Sequence, residues 1–277
     1  MRAGLLPAVL LAACASREPA GPARMVQSRD LPARHREVLE LCRRGGAEWE
    51  LERARAASDP GLARFLVDNL VIDMVRAFER ARIAGAGEPS GPFERAQGEL
   101  VDLACHSTPL LVELLAVKDG VVAFLAADTL ARIGEPALAP VSALLDAHED
   151  ATRRRAAELL GQLPPGASTE AGRRAQLARL AVSDPAWIVR AETVRALALR
   201  AVRSGEPDTA LPTLVRALAD PDVSVARAAC RAAALLADPR AAPALSACAE
   251  RATREGLPAL LAEARAALAA VGSTPPR

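Results

Sequence analysis

Tyrosine does not occur in this chain of 277 residues, and aromatics of every kind make up only 2% of it. Such a chain cannot fill a large interior with rings, and it lacks the aromatic and β-branched bias of strands. Histidine is nearly as scarce: His35, His106 and His148 are the only three. No His-Glu-x-x-His pair and no Cys–His group with metal-ligand spacing occurs. A phosphate-binding loop and a Gly-x-Ser-x-Gly elbow are also missing. Cys105 and His106 are adjacent, so a helix would point them apart and they make a poor nucleophile–base pair. Gly85-x-Gly87 falls short of a dinucleotide fingerprint, because the third glycine comes one place late and no strand precedes it. The sequence therefore suggests no catalytic residue, no metal and no cofactor.

An excess of one charge is missing too. The formal net charge is +1, and removal of a leader containing Arg2 would bring basic and acidic residues to parity. A dedicated nucleic-acid binder carries a clear basic excess, so nucleic acid is not expected as a partner. What the chain does have is apolar bulk, 51% of its residues, mostly Ala and Leu. Both are strong helix formers. An all-α protein follows, with short helices packed closely through small side chains.

The chain begins MRAGLLPAVLLAA, residues 1–13, followed by Cys14. One positive charge, a short apolar run and then small residues are the layout of an export signal, too short for a permanent membrane span. Leu11-Ala12-Ala13-Cys14 resembles the lipobox of bacterial lipoproteins. That resemblance implies lipidation of Cys14 and loss of residues 1–13. Ala15 after the cysteine resembles proteins sorted to the outer membrane, which would place the chain on the periplasmic face of the cell envelope. An ordinary secretory signal cut after an alanine is the rival reading. Residues 14–29, rich in Pro, Gly and polar side chains, read as a tether that could reach on the order of 45 Å if extended.

Residues 30–106 form a helical region. Leu31, His35, Val38, Leu39 and Cys42 share one face of a helix that Gly45-Gly46 ends. A short helix carries Trp49. Asp59-Pro60 opens the most hydrophobic helix, with Phe65, Leu66, Leu70, Val71, Met74, Val75 and Phe78 in one stripe, and its place should be central. Residues 84–92 read as a loop, and 93–106 as a further helix.

From 107 to 272 the chain reads as helix pairs, with 273–277 a disordered tail. Asp220 and Asp184 each precede a proline and open an apolar helical run, and they lie 36 residues apart. Each looks like an N-cap followed by proline at the first helical position. Periods in this range mark helical-repeat arrays. Thr108-Pro109, Glu135-Pro136 and Asp238-Pro239 punctuate other starts. Leu180, Asp184-Pro185, Val189-Arg190 and Ala196-Leu197 together resemble HEAT-like repeats of the short bacterial type, as do Leu214, Leu218, Asp220-Pro221, Val225 and Ala229. Ala226 departs from the pattern where arginine is usual, and residues 161–166 interrupt it. The resemblance implies an α-solenoid (superhelix) of about five repeats whose second helices line a concave surface.

By that resemblance the binding face for another protein would carry Arg153, Arg154, Arg190, Arg195, Arg227 and Arg231, with Trp187 as an anchor. The rival reading is a solvated face on which these arginines pair with Glu158 and Glu192, and a Trp187 that fills a joint between repeats. Export would put the cysteines in an oxidising compartment. Cys230 and Cys248 sit on helices that should be neighbours, which makes them a candidate disulfide. Function follows as a membrane-anchored periplasmic binding or scaffolding module. The alternatives are an enzyme, by analogy with HEAT-like lyases and glycosylases, and a self-associating envelope structural protein.

Overall fold

A computed structural model describes residues 33–85, 91–165 and 170–272. These form 14 α-helices, with no strand among the described residues. Cys14 and the export signal expected over residues 1–13 lie outside the described residues. No described helix is long and apolar enough to cross a membrane. The chain divides into two compact units, Met1–Pro136 and Ala137–Arg277.

The first unit holds α1 (Ala33–Arg44), α2 (Ala47–Ser58), α3 (Pro60–Ile83), α4 (Gly91–Asp102), α5 (Ala104–Leu115) and α6 (Gly120–Ile133). Helices α1, α2, α4 and α5 pack on α3, which buries Leu62, Leu66, Leu70 and Met74. Its start is fixed locally. The Asp59 carboxylate accepts from the Gly61 and Leu62 amides at 3.0 and 3.1 Å, and Pro60 takes a position where no N–H is needed. His35 stacks on Phe65 with ring centroids 5.4 Å apart. Trp49, Leu100, Leu111, Leu125 and Leu130 complete the interior. The expected helix start at Thr108-Pro109 is corrected. The Leu103 and Ser107 amides already donate to the Glu99 and Leu103 carbonyls, so α5 is wound before Pro109 is reached and carries that proline inside it. Helices α5 and α6, the first pair of the expected array, belong to this unit, where α5 packs on α3 and α6 on α4.

The second unit is a succession of helix pairs. First helices are α7 (Leu138–Ala143), α9 (Glu170–Ser183), α11 (Leu211–Leu218) and α13 (Ala242–Arg254). Second helices are α8 (Asp150–Gln162), α10 (Trp187–Ser204), α12 (Val223–Leu236) and α14 (Pro258–Gly272). The sequence predicts a single helix over 135–147. Instead a six-residue α7 sits between 3₁₀ turns at Glu135–Ala137 and Leu144–Asp146. Pro136 and Pro140 remove two amide donors there, and the tighter turns make do with the rest.

A second correction concerns the Asp-Pro steps. Asp184 and Asp220 are not N-caps. Helix α10 starts at Trp187 and α12 at Val223, and it is Asp222 that caps α12 by accepting from the Ser224 amide at 2.8 Å. Asp184 and Asp220 each close a turn just ahead, accepting from the Ala186 and Asp222 amides at 2.9 and 2.8 Å. A proline at the next position fits such a turn as well as it fits a first helical turn, so the two look alike in sequence. Across the interruption at 161–166, α8 packs directly on α10. Gly161 permits it: a Cβ there would stand 3.1 Å from the Ala196 Cα.

Candidate functional site

The four second helices of this unit lie side by side, α8 on α10, α10 on α12, and α12 on α14. Arginines join them at three levels, and each level treats the predicted binding residues differently.

At the N-terminal ends the arginines are structural. Arg153 forks onto Asp184 at 2.7 and 2.9 Å and donates to the His148 carbonyl at 2.7 Å. Arg190 repeats this one helix pair later, onto Asp220 at 2.8 and 3.0 Å and the Asp184 carbonyl at 2.9 Å. The paired Asp220 carboxylate pushes the Arg190 guanidinium above its ordinary value. With a side chain only 13% exposed, Arg190 is not the solvent-facing group expected of it, and the same holds for Arg153. Each spends its fork on the loop aspartate of the next pair and its remaining N–H groups on carbonyls of its own loop. These bonds give Asp184 and Asp220 a use that the capping interpretation missed.

From the second turn to the middle of the helices the arginines stay reachable. Arg154 donates to Glu158 at 3.1 Å, and Arg195 to Glu192 at 2.8 Å with Glu158 a further 3.9 Å away on the neighbouring helix. Arg231 reaches across to Glu263 at 2.9 Å and Arg227 joins it at 3.4 Å. Those two guanidiniums, Arg231 first, hold the Glu263 carboxyl below the usual carboxylate range. Burial pushes Glu192 the other way. The row is thus a lattice of alternating charge, as the pairing of arginines with Glu158 and Glu192 anticipated. Arg231 remains 62% exposed, so its free edge can still meet an acceptor on another molecule. Trp187 opens α10 with 46% of its surface in solvent and Ile188 beside it, which leaves much of the ring outside any joint.

At the C-terminal ends sits a residue that the sequence analysis passed over. Arg200 is fully buried. Its Nε and Nη2 fork onto Glu170 at 2.7 and 2.5 Å, and its Nη1 reaches the carbonyls of Leu160, in the last turn of α8, and of Leu163 just past its end. Arg203 adds a bond to the Gly161 carbonyl at 2.8 Å. The four C-terminal carbonyls of a helix lack partners within it, and here arginines of the next pair supply them. Burial alone would raise the Glu170 carboxyl, but the Arg200 and Arg173 guanidiniums more than offset it and hold the group low. The signal was present, since Arg200 falls on the apolar face between Leu197 and Ala201.

Cys230 and Cys248 are both buried, with sulfurs 4.0 Å apart and both as free thiols. Among the described residues no group of three or more His, Cys, Asp or Glu side chains could hold a metal ion. His106 faces the Ala57 carbonyl at 2.9 Å, and His148 is solvent-exposed.

Antiparallel helix pairs laid side by side, the first three joined in succession by a loop aspartate and a helix arginine, define an α-solenoid. The family described as HEAT repeats matches residues 107–198 and 174–269, more than half of the chain. The chain belongs to that family. No curated protein matches it. Among solved structures, Kap121p bound to Ste12p is similar at 14% identity over 86% of this chain and 27% of that one, with a TM-score of 0.48. An engineered protein is similar at 18% identity over 86% of this chain and 97% of that one, TM-score 0.46. A designed armadillo repeat protein in complex with peptide (KR)4 is similar at 20% identity over 72% and 98%, TM-score 0.44.

Proposed function

We propose that this HEAT-repeat protein is a non-enzymatic scaffold that binds another protein along its second-helix face. One observation carries this: four second helices aligned side by side keep a row of arginines, Arg154, Arg195, Arg227 and Arg231, in reach of solvent, and Trp187 at the start of α10 is half-exposed. Their carboxylate partners lie on the same face, so a ligand must exchange one set of ion pairs for another. Such a face selects for geometry and charge pattern more than for raw affinity. Trp187 and Ile188 supply the apolar contact that an exchange of ion pairs does not.

The address belongs to the same proposal. Lipidation at Cys14 would hold the scaffold on the periplasmic side of the outer membrane, with residues 15–29 as its tether. The lipobox resemblance supports this.

Crosslinking in the native envelope, followed by mass spectrometry, tests both parts. The wild type should yield a discrete protein adduct. R195E/R231E should lose it while keeping its helical content, and C14S should lose both label from a fatty-acid precursor and membrane retention. An adduct equally strong with R195E/R231E and with W187A would rule out this face as the binding site.

A further inference from the structure

The buried sulfurs do not belong to the binding row. Cys230 lies midway along α12, the second helix of one pair, and Cys248 midway along α13, the first helix of the next. A bond between them would therefore span a joint between consecutive repeats. The sulfurs are already 4.0 Å apart, and closing to the roughly 2.05 Å of a disulfide brings them about 2 Å nearer. The surroundings are small: Ala229, Ala233 and Ala252 are all buried nearby in sequence.

Arg251 supplies the second observation. It stands one helical turn beyond Cys248. Its Nη1 donates to the Asp220 carbonyl at 2.8 Å, while Nε and Nη2 are buried without a hydrogen-bond acceptor among the described residues, the Glu255 carboxylate lying 4.0 Å from Nε. Buried guanidinium N–H groups without acceptors are costly unless an anion uses them. A thiolate would be one. The hydrogen bond from Cys230, and then the Arg251 charge, lower the Cys248 thiol to about 7, while the same contact and burial push Cys230 up. Glu263 also faces Cys230 and acts in the same upward direction.

We propose that Cys230 and Cys248 form a redox-active pair that closes to a disulfide across the joint, with Cys248 as the attacking sulfur and Arg251 as its positioning residue. The oxidant is a small-molecule disulfide, and because Cys230 and Cys248 are buried it reaches Cys248 when the joint between α12 and α13 opens locally. The Cys248 thiolate attacks one of its sulfurs. The oxidant's S–S bond breaks, and the departing thiolate takes a proton from solvent. Cys230 then gives up its proton and attacks the Cys248 sulfur. The internal S–S bond forms and the second thiol leaves. Two protein thiols lose two protons and two electrons, and one disulfide becomes two thiols.

The test uses the full chain with glutathione disulfide, so it is independent of partner and cellular address. Reduced folded protein is incubated with it, alkylated in denaturant and digested with trypsin. Peptides 228–231 and 241–251 should be recovered joined, and separate on reduction. The oxidised protein should melt about 5–10 °C higher, as expected for closing a short loop in a unit of this size. C248A should abolish both effects, and C230A should leave only a mixed disulfide at Cys248. R251M should slow joining at neutral pH about two- to threefold, through the smaller thiolate fraction, since the hydrogen bond from Cys230 is the larger cause of the lowered thiol. Recovery of both peptides fully alkylated would overturn the pairing, and an unchanged rate in R251M would remove Arg251 from it.

Discussion

Replacing Arg200 with methionine removes a charge from the middle of the second unit while keeping most of the side-chain volume. In the native protein the Arg200 guanidinium is the main partner of Glu170, whose side chain is itself mostly buried, and the donor to the Leu160 and Leu163 carbonyls. R200M leaves that carboxylate beside Arg173 alone, at 3.4 Å. Breaking a buried pair from one side costs about 3–5 kcal/mol, because the other charge stays buried. The surviving Arg173 puts the expected loss near ~3 kcal/mol, equivalent to roughly 6–12 °C in a unit of this size. Urea unfolding followed by far-ultraviolet circular dichroism measures it. Acid gives a second reading. The folded-state Glu170 carboxyl is held low, so the native state binds fewer protons than the unfolded chain. Its stabilisation is complete above the unfolded-state value, near ~4.3, and drains away as pH falls through the lower folded-state value. The gap between wild type and R200M should therefore narrow below about pH 4. Arg231, whose pair is mostly in solvent, is the control, and R231M should cost no more than about 1 kcal/mol. A midpoint for R200M as close to wild type as that of R231M would refute the reasoning.

Three further outcomes follow from the same contacts. G161A should destabilise by about 1–2 kcal/mol in urea, since the new Cβ meets the Ala196 backbone and overpacking outweighs the helix-propensity gain; G172A, with nothing within 4 Å, should instead be neutral or stabilising by up to about 1 kcal/mol. D220A should cost about 2–4 kcal/mol in the same assay, because it strands the mostly buried Arg190 fork and opens the turn before α12. Cys42, fully buried and pushed up to about 12 by burial and then by Glu99, should react with a maleimide only when the first unit unfolds; labelling at the rate of an exposed thiol would contradict its burial.

Composition and spacing alone determined that this chain is helical and repetitive. Ala and Leu in place of aromatics leave no other way to bury 51% apolar residues, and the interval between Asp184 and Asp220 survives as the spacing of successive helix pairs. The same spacing misassigned what those aspartates do, because an Asp-Pro step looks identical whether its carboxylate caps a helix or receives an arginine from the preceding repeat. Only packing separates the two cases, since the deciding partner lies about thirty residues away. For the same reason the arginines of the second helices could not be sorted in advance. Arg190 and Arg231 both sit on second helices, each followed by an alanine, yet one is locked into a loop and the other stands in solvent. Arg200 went further, into the core, because the second helix of the preceding pair ended on carbonyls that needed a donor. Local chemistry fixes where helices begin and which face is apolar, but which charges are spent on the fold and which are left for another molecule depends on what the next repeat brings alongside.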